Sequence, residues 1–182
     1  VKEQYEVIMA GSGGQGLVFC GIILAQAAIL EGQNAVQTQS YGIASRGGFS
    51  KSEVIISRNE IMFQQVQEPD VILVLTEQAM RMYAPGEPAM PVFYDTTLLE
   101  KRNGRNLYGF PFTEMASRLG HVGTANIIAL GAMSTLTGMI KTGSLAAVLN
   151  RRFTGKVAEM NIKALQAGIE LVTKKGEATA NE

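Results

Sequence analysis

The segment Tyr5–Gly16, YEVIMAGSGGQG, runs without a break into the apolar stretch Leu17–Leu30, and no other part of the chain narrows its fold so far. Val7, Ile8 and Met9 read as a strand, the glycines as a tight turn, and the stretch from about Gly16 to Glu31 as a helix. Gly11, Gly13 and Gly16 keep the G-x-G-x-x-G spacing of dinucleotide-binding turns. A turn of this kind brings backbone close to a ligand and aims the free N–H groups of a helix start at an anion. Taken alone it predicts a nucleotide enzyme. The helix is apolar nearly all round, with Gln26 alone breaking the run before Glu31, so it must be covered on most sides.

The rest of the chain alternates between the two periods. Gly32 caps the first helix, Ala35–Gln39 reads as a second strand, and a glycine- and serine-rich connection, SYGIASRGGFS, leads into a strand at Lys51–Ser57. Asn59–Gln67 reads as a short helix closed before Pro69. Val71–Leu75, continuously apolar, is a strand covered on both faces. Thr76–Tyr83 reads as a helix capped by Thr76, Val92–Asp95 as a strand, Lys101–Arg105 as a solvated turn and Leu107–Phe112 as a strand. Helical periodicity then covers Thr113–Leu119, Thr124–Ile140, Ser144–Arg152 and Val157–Thr173. The polar tail, residues 174–182, is expected to be flexible. Strands alternating with helices before a helical C-terminal third predict a layered α/β fold with a largely parallel sheet. The 182 residues, 46% of them hydrophobic, suit a single domain with its core at about residues 5–172.

Several function classes drop out on chemistry. Lys+Arg and Asp+Glu both number 16, which gives no global attraction to nucleic acid or a membrane surface. No apolar run reaches the roughly 18 residues of a spanning helix, and VKEQYEV leaves no room for a signal peptide, so the expected location is the cytoplasm. Cys20 is the only cysteine. It can form no internal disulfide or iron–sulfur cluster, and its apolar surroundings predict an inert thiol. His121, in LGHVG, suits a helix-capping or surface role, and Asp70 and Asp95 suit turns or caps rather than an acid–base pair. No residue is assigned a catalytic role or a metal.

The dinucleotide reading fails at the second strand. A ribose-binding acid belongs at its end, yet that end reads Gln37-Thr38-Gln39-Ser40, and no carboxylate occurs from Gly32 through Ser52. The charges in that window are Arg46 and Lys51. Gly14–Gly16, the Gly47-Gly48 pair and Arg46 together offer N–H donors and positive charge to a phosphate. Equally, both loops are tight turns packed against another subunit. Asn126, a polar residue on an apolar helix, either satisfies backbone groups at a helix start or faces an interface.

GSGGQG at Gly11–Gly16, SYG…SRGGFSKSEVIIS from Ser40 to Ser57, ANIIALGA at Ala125–Ala132 and NIKALQAG at Asn161–Gly168 together resemble the gamma subunit of 2-oxoacid:ferredoxin oxidoreductases. The likeness runs from about Tyr5 to Val172 and is greatest for the 2-oxoglutarate type, with the pyruvate and branched-chain types related. It implies a three-layer Rossmann-like domain without a redox centre, inactive in isolation, within a complex that converts a 2-oxoacid to its acyl-CoA. Thiamine diphosphate, magnesium and iron–sulfur clusters would then belong to the alpha and beta subunits and a ferredoxin-like delta subunit, with coenzyme A held near the gamma chain. The residues open to ligand or interface contact are Gly11, Ser12, Gly13, Gly14, Gln15, Gly16, Ser40, Tyr41, Arg46, Gly47, Gly48 and Asn126. An exposed docking face would let the isolated chain self-associate. The competing class is a stand-alone nucleotide- or flavin-binding oxidoreductase domain.

Overall fold

The structure, a computed structural model, describes residues 2–42 and 47–180. Six strands form one sheet in the order β2-β3-β1-β4-β5-β6: β1 (Gln4–Ser12), β2 (Asn34–Tyr41), β3 (Phe49–Ser57), β4 (Val71–Val74), β5 (Val92–Asp95) and β6 (Leu107–Phe110). β1, β4, β5 and β6 pair in parallel, whereas β3 is antiparallel to both β1 and β2. One reversed strand in an otherwise parallel sheet follows from chain length. The connection from Gly42 to Gly48 suffices for a hairpin and is too short for a parallel crossover.

Side chains alternate across the sheet with the period of two that strands impose. Val7, Met9, Val54, Ile56, Leu73 and Phe93 face one core, which is closed by α1 (Leu17–Leu30), α3 (Phe112–Arg118), α4 (Ala125–Thr137), α5 (Thr142–Arg152) and α6 (Gly155–Ala180). Ile8, Ala10, Ile72, Val74 and Tyr94 face a smaller core closed by α2 (Glu77–Tyr83) and irregular chain. The outer layers are therefore unequal. α1 ends as the sequence predicts: Gly32 is left-handed at φ 75°, and the Gly32 and Gln33 N–H groups bond to Ile29 O and Ala28 O in a Schellman turn. Thr76 caps α2 by accepting from the Ala79 N–H at 3.2 Å.

α4 and α6 cross backbone to backbone. A Cβ on Gly131 would lie 2.5 Å from Leu165 O, and one on Gly168 would lie 1.9 Å from Ile128 O. These glycines belong to ANIIALGA and NIKALQAG, so two of the four resembling segments meet at one helix crossing.

Several expectations differ from what is found, among them the end of α4, which stops at Thr137 before the left-handed Gly138 rather than at Ile140. Asn59–Gln67 is not helical. The Glu6 carboxylate accepts the N–H groups of Gln67 at 2.6 Å and Glu68 at 3.0 Å, tying the end of this irregular, bent segment to β1, and Met62 and Phe63 are 77% and 69% exposed. β6 stops at Phe110, because Pro111 has no N–H for the ladder and leads directly into α3. At the other end of the chain, α6 runs on to Ala180, beyond the boundary expected at Thr173. Among the described residues no helix is long and apolar enough to cross a membrane.

Candidate functional site

The glycine turn sits where β1 and β4 part company at their carboxyl ends, the place where open α/β sheets bind ligands. Its glycines have separate jobs. Gly14 and Gly16 are left-handed, at φ 95° and 72°, which favours glycine at both. A Cβ on Gly16 would also fall 2.0 Å from Asn126 Nδ2. Gly11 permits close packing, since a Cβ there would meet Gln15 Oε1 at 2.2 Å.

Gln15 fastens the turn across the sheet. Its Oε1 accepts the Ser12 N–H at 2.8 Å and its Nε2 donates to Leu75 O at 3.2 Å. Asn126, 4% exposed near the start of α4, donates from Nδ2 to Gln15 O at 3.3 Å and Gly16 O at 3.2 Å. Of the two roles the sequence left open for Asn126, its bonds match the support of backbone at a helix start. Its Oδ1 is buried and has no partner among the described residues. Asn126 also lines a cavity of about 220 Å³, together with Gly14, Leu75, Asp95, Thr113 and Gly123 among others.

The second glycine loop meets the first. Gly13 N–H donates to Gly48 O at 2.9 Å, and Gly47 is left-handed at φ 68°. Within the described residues the Gly14 and Gly16 N–H groups have no acceptor. Ser40 and Tyr41 stand apart on β2, separated from β1 by β3, or roughly 10 Å at ordinary strand spacing. Ser40 lines a different pocket, of about 480 Å³, with Thr38, Lys51, Glu53 and Phe63. Arg46 lies outside the described residues.

The insertion of β3 adds a physical reason against a dinucleotide site. The neighbour of β1 on this side runs the opposite way, so the end of β2 cannot reach a ribose at the turn as it does in a 3-2-1 sheet. Asp95 has the cap role expected of it, accepting the Thr97 and Thr113 N–H groups. The sequence reading missed Thr113 and the Gln15 bridge, neither of which left a signal.

His121 Nδ1 accepts the Gly123 N–H at 3.0 Å, capping the 3-10 turn Val122–Thr124. Asp70 accepts the Glu6 N–H at 2.9 Å and pairs with Lys2. Burial lowers the pKa of Lys51, but the hydrogen bond and charge of Glu53 at 2.8 Å, with help from Tyr83, outweigh it and hold it above the ordinary lysine value. That pair is therefore intact at neutral pH and is lost only as pH rises through the raised value.

Cys20 is fully buried, its Sγ donating to Asn126 O at 3.3 Å, and burial pushes its thiol pKa far up. The chain's donor set does not fit an iron–sulfur cluster. The folded protein should resist a disulfide reagent near pH 8 and react fully in denaturant. Rapid labelling of the folded chain would contradict this placement.

A family model described as pyruvate ferredoxin/flavodoxin oxidoreductase matches residues 6–171. A 2-oxoglutarate synthase subunit, KorC, of Archaeoglobus fulgidus is 40% identical over 173 residues, covering 94% of this chain and 89% of that protein. The crystal structure of a keto/oxoacid ferredoxin oxidoreductase gamma subunit from Geobacter sulfurreducens superposes with TM-score 0.79 at 38% identity, covering 93% of this chain and 99% of that one. A 2-oxoglutarate:ferredoxin oxidoreductase from Magnetococcus marinus, solved with 2-oxoglutarate, coenzyme A and succinyl-CoA bound, shares the fold at TM-score 0.84 and 22% identity. That match covers 96% of this chain and 32% of the longer one.

Proposed function

This chain belongs to the pyruvate ferredoxin/flavodoxin oxidoreductase family as a gamma-type subunit, and from that premise we propose that its two glycine loops hold coenzyme A within a complex that oxidises 2-oxoglutarate. The alpha, beta and ferredoxin-like delta partners supply thiamine diphosphate, magnesium and iron–sulfur clusters. The gamma chain supplies binding surface and assembly contacts.

The observation that carries this reading is the bond from Gly13 to Gly48, which joins two glycine loops at one edge and leaves the Gly14 and Gly16 N–H groups free among the described residues. Those donors, with the Arg46 side chain from the second loop, suit the phosphates of coenzyme A. The neighbouring cavity is lined by Asn126, whose Oδ1 has no partner among the described residues. An acceptor of that kind suits an amide N–H group of the neutral pantetheine arm and disfavours a phosphate at that depth.

A charge-assisted contact to phosphate is worth roughly 1.5–3 kcal/mol. Arg46→Ala should therefore raise the apparent KM for coenzyme A about tenfold or more in the assembled complex. The KM for the 2-oxoacid should stay unchanged. An unaltered KM for coenzyme A with normal assembly would refute the assignment, and loss of assembly would move Arg46 to a subunit interface.

A further inference from the structure

We propose that β2 is a pairing edge through which two copies of this chain join their sheets antiparallel about a twofold axis at Thr38. β2 is an outer strand of the sheet, and an outer strand presents unpaired N–H and C=O groups to any chain that can reach them. Which residues present them follows from the ladder. Gly42 N–H donates to Phe49 O at 2.6 Å, continuing the β2–β3 register. Since bonding alternates along an antiparallel pair, Ser40, Thr38 and Val36 also aim their backbone groups at β3. Ala35, Gln37, Gln39 and Tyr41 aim theirs outward, and none of these outward groups has a partner among the described residues.

Natural edges are commonly protected by charge, proline or a bulge. The strand sequence NAVQTQSY has no charged residue and no proline, and its register against β3 is unbroken. By contrast β6, at the opposite edge, is only 4 residues long.

The occupant argued for is a second copy, for three reasons. First, an uncharged strand laid against itself brings no like charges together, and the formal net charge of the chain is zero. Second, one register engages every outward residue: with Thr38 on the axis, Ala35 pairs with Tyr41 of the other copy and Gln37 with Gln39, and each pair exchanges two bonds. Shifting the axis to Gln37 or Gln39 leaves outward groups unpaired. Third, the same register fits side chains by size. Tyr41, 62% exposed, comes opposite the small Ala35, and Gln39 comes opposite Gln37, whose Nε2 donates to Thr38 O and Ser52 Oγ and whose Oε1 remains to accept the Gln39 amide.

Thr38 faces its symmetry mate as a non-hydrogen-bonded pair, with Cα atoms about 4.5 Å apart, close enough for a disulfide. Native Cys20 is buried and does not compete. Sedimentation of the purified chain should give a dimer, and mild oxidation of the Thr38→Cys variant should convert it to a covalent dimer. Gln39→Pro removes an outward N–H and no internal ladder bond, so it should keep the native circular dichroism while raising the dimer dissociation constant about tenfold or more. A monomer at high micromolar concentration would overturn the proposal. So would a dimer that Thr38→Cys fails to cross-link, or a β2 edge that pairs only with a different subunit.

Discussion

Replacing Gly168 with alanine should destabilise the fold by about 3 kcal/mol or more, against the usual sign of that substitution. In a helix interior, alanine normally gains about 0.5–1 kcal/mol over glycine because it restricts the unfolded chain. At Gly168 the new methyl would stand 1.9 Å from Ile128 O and 2.9 Å from Ala132 N, both backbone atoms of α4. A side chain in the way could change rotamer. A backbone carbonyl cannot, so α4 and α6 must separate and loosen the core between them. Overpacking commonly costs 1–3 kcal/mol, and this case belongs at or beyond the upper end. The control is Gly143→Ala in α5, where a Cβ meets nothing within 4 Å; that variant should be neutral or slightly more stable. Urea unfolding of the two variants reads the difference as opposite shifts in midpoint. A stable Gly168→Ala would mean that the helices do not cross so closely.

Asp95→Ala should cost about 3 kcal/mol by a different route. The carboxylate is wholly buried and accepts three bonds: from Thr97 N–H at 2.9 Å, Thr113 N–H at 2.9 Å and Thr113 Oγ1 at 2.6 Å. It acts as the cap for α3, whose own N-cap residue, Pro111, has no side-chain acceptor. Alanine would leave two backbone donors and a hydroxyl without their protein partner in a buried site. At the size of this chain the loss corresponds to a fall in Tm of roughly 6–12 °C. Asp95→Asn keeps one acceptor and turns a donor toward another donor, so it should fall between the two. A shift of less than about 2 °C for Asp95→Ala would show that water replaces the carboxylate freely. Because Asp95 also lines the cavity beside the glycine turn, the same variant should weaken coenzyme A binding only as far as the α3 end moves.

Strand and helix positions were legible where one period dominated locally. Val71–Val74 and the α1 run are unmistakable, and Gly32, Thr76 and His121 act as their local chemistry predicts. Asn59–Gln67 misled because Ile61, Met62, Phe63 and Val66 mimic a helical face. The partner that overrides that pattern, Glu6, lies on β1 and reaches the segment only after folding. At the site, the glycine turn and Asn126 could be read from sequence, but their connection could not: Gln15 reaches Leu75 and Asn126 reaches Gly16 across long stretches of chain. The strand direction of β3 was within reach, since the short Gly42–Gly48 connection permits only a hairpin. The roles of Gly131 and Gly168 were not, because a close helix crossing leaves no mark on the periodicity of either helix.

The bridge made by Gln15 governs timing as well as shape. Its two hydrogen bonds hold the glycine turn in place within the folded chain itself, so the ordering entropy of that loop is already lost during folding. A ligand arriving there meets fixed donors and needs no slow rearrangement of the turn, and association should proceed in a single kinetic phase. In amide exchange the same bridge divides neighbours: the Ser12 N–H should be protected while the Gly14 N–H, two residues on, exchanges at nearly the rate of an open chain.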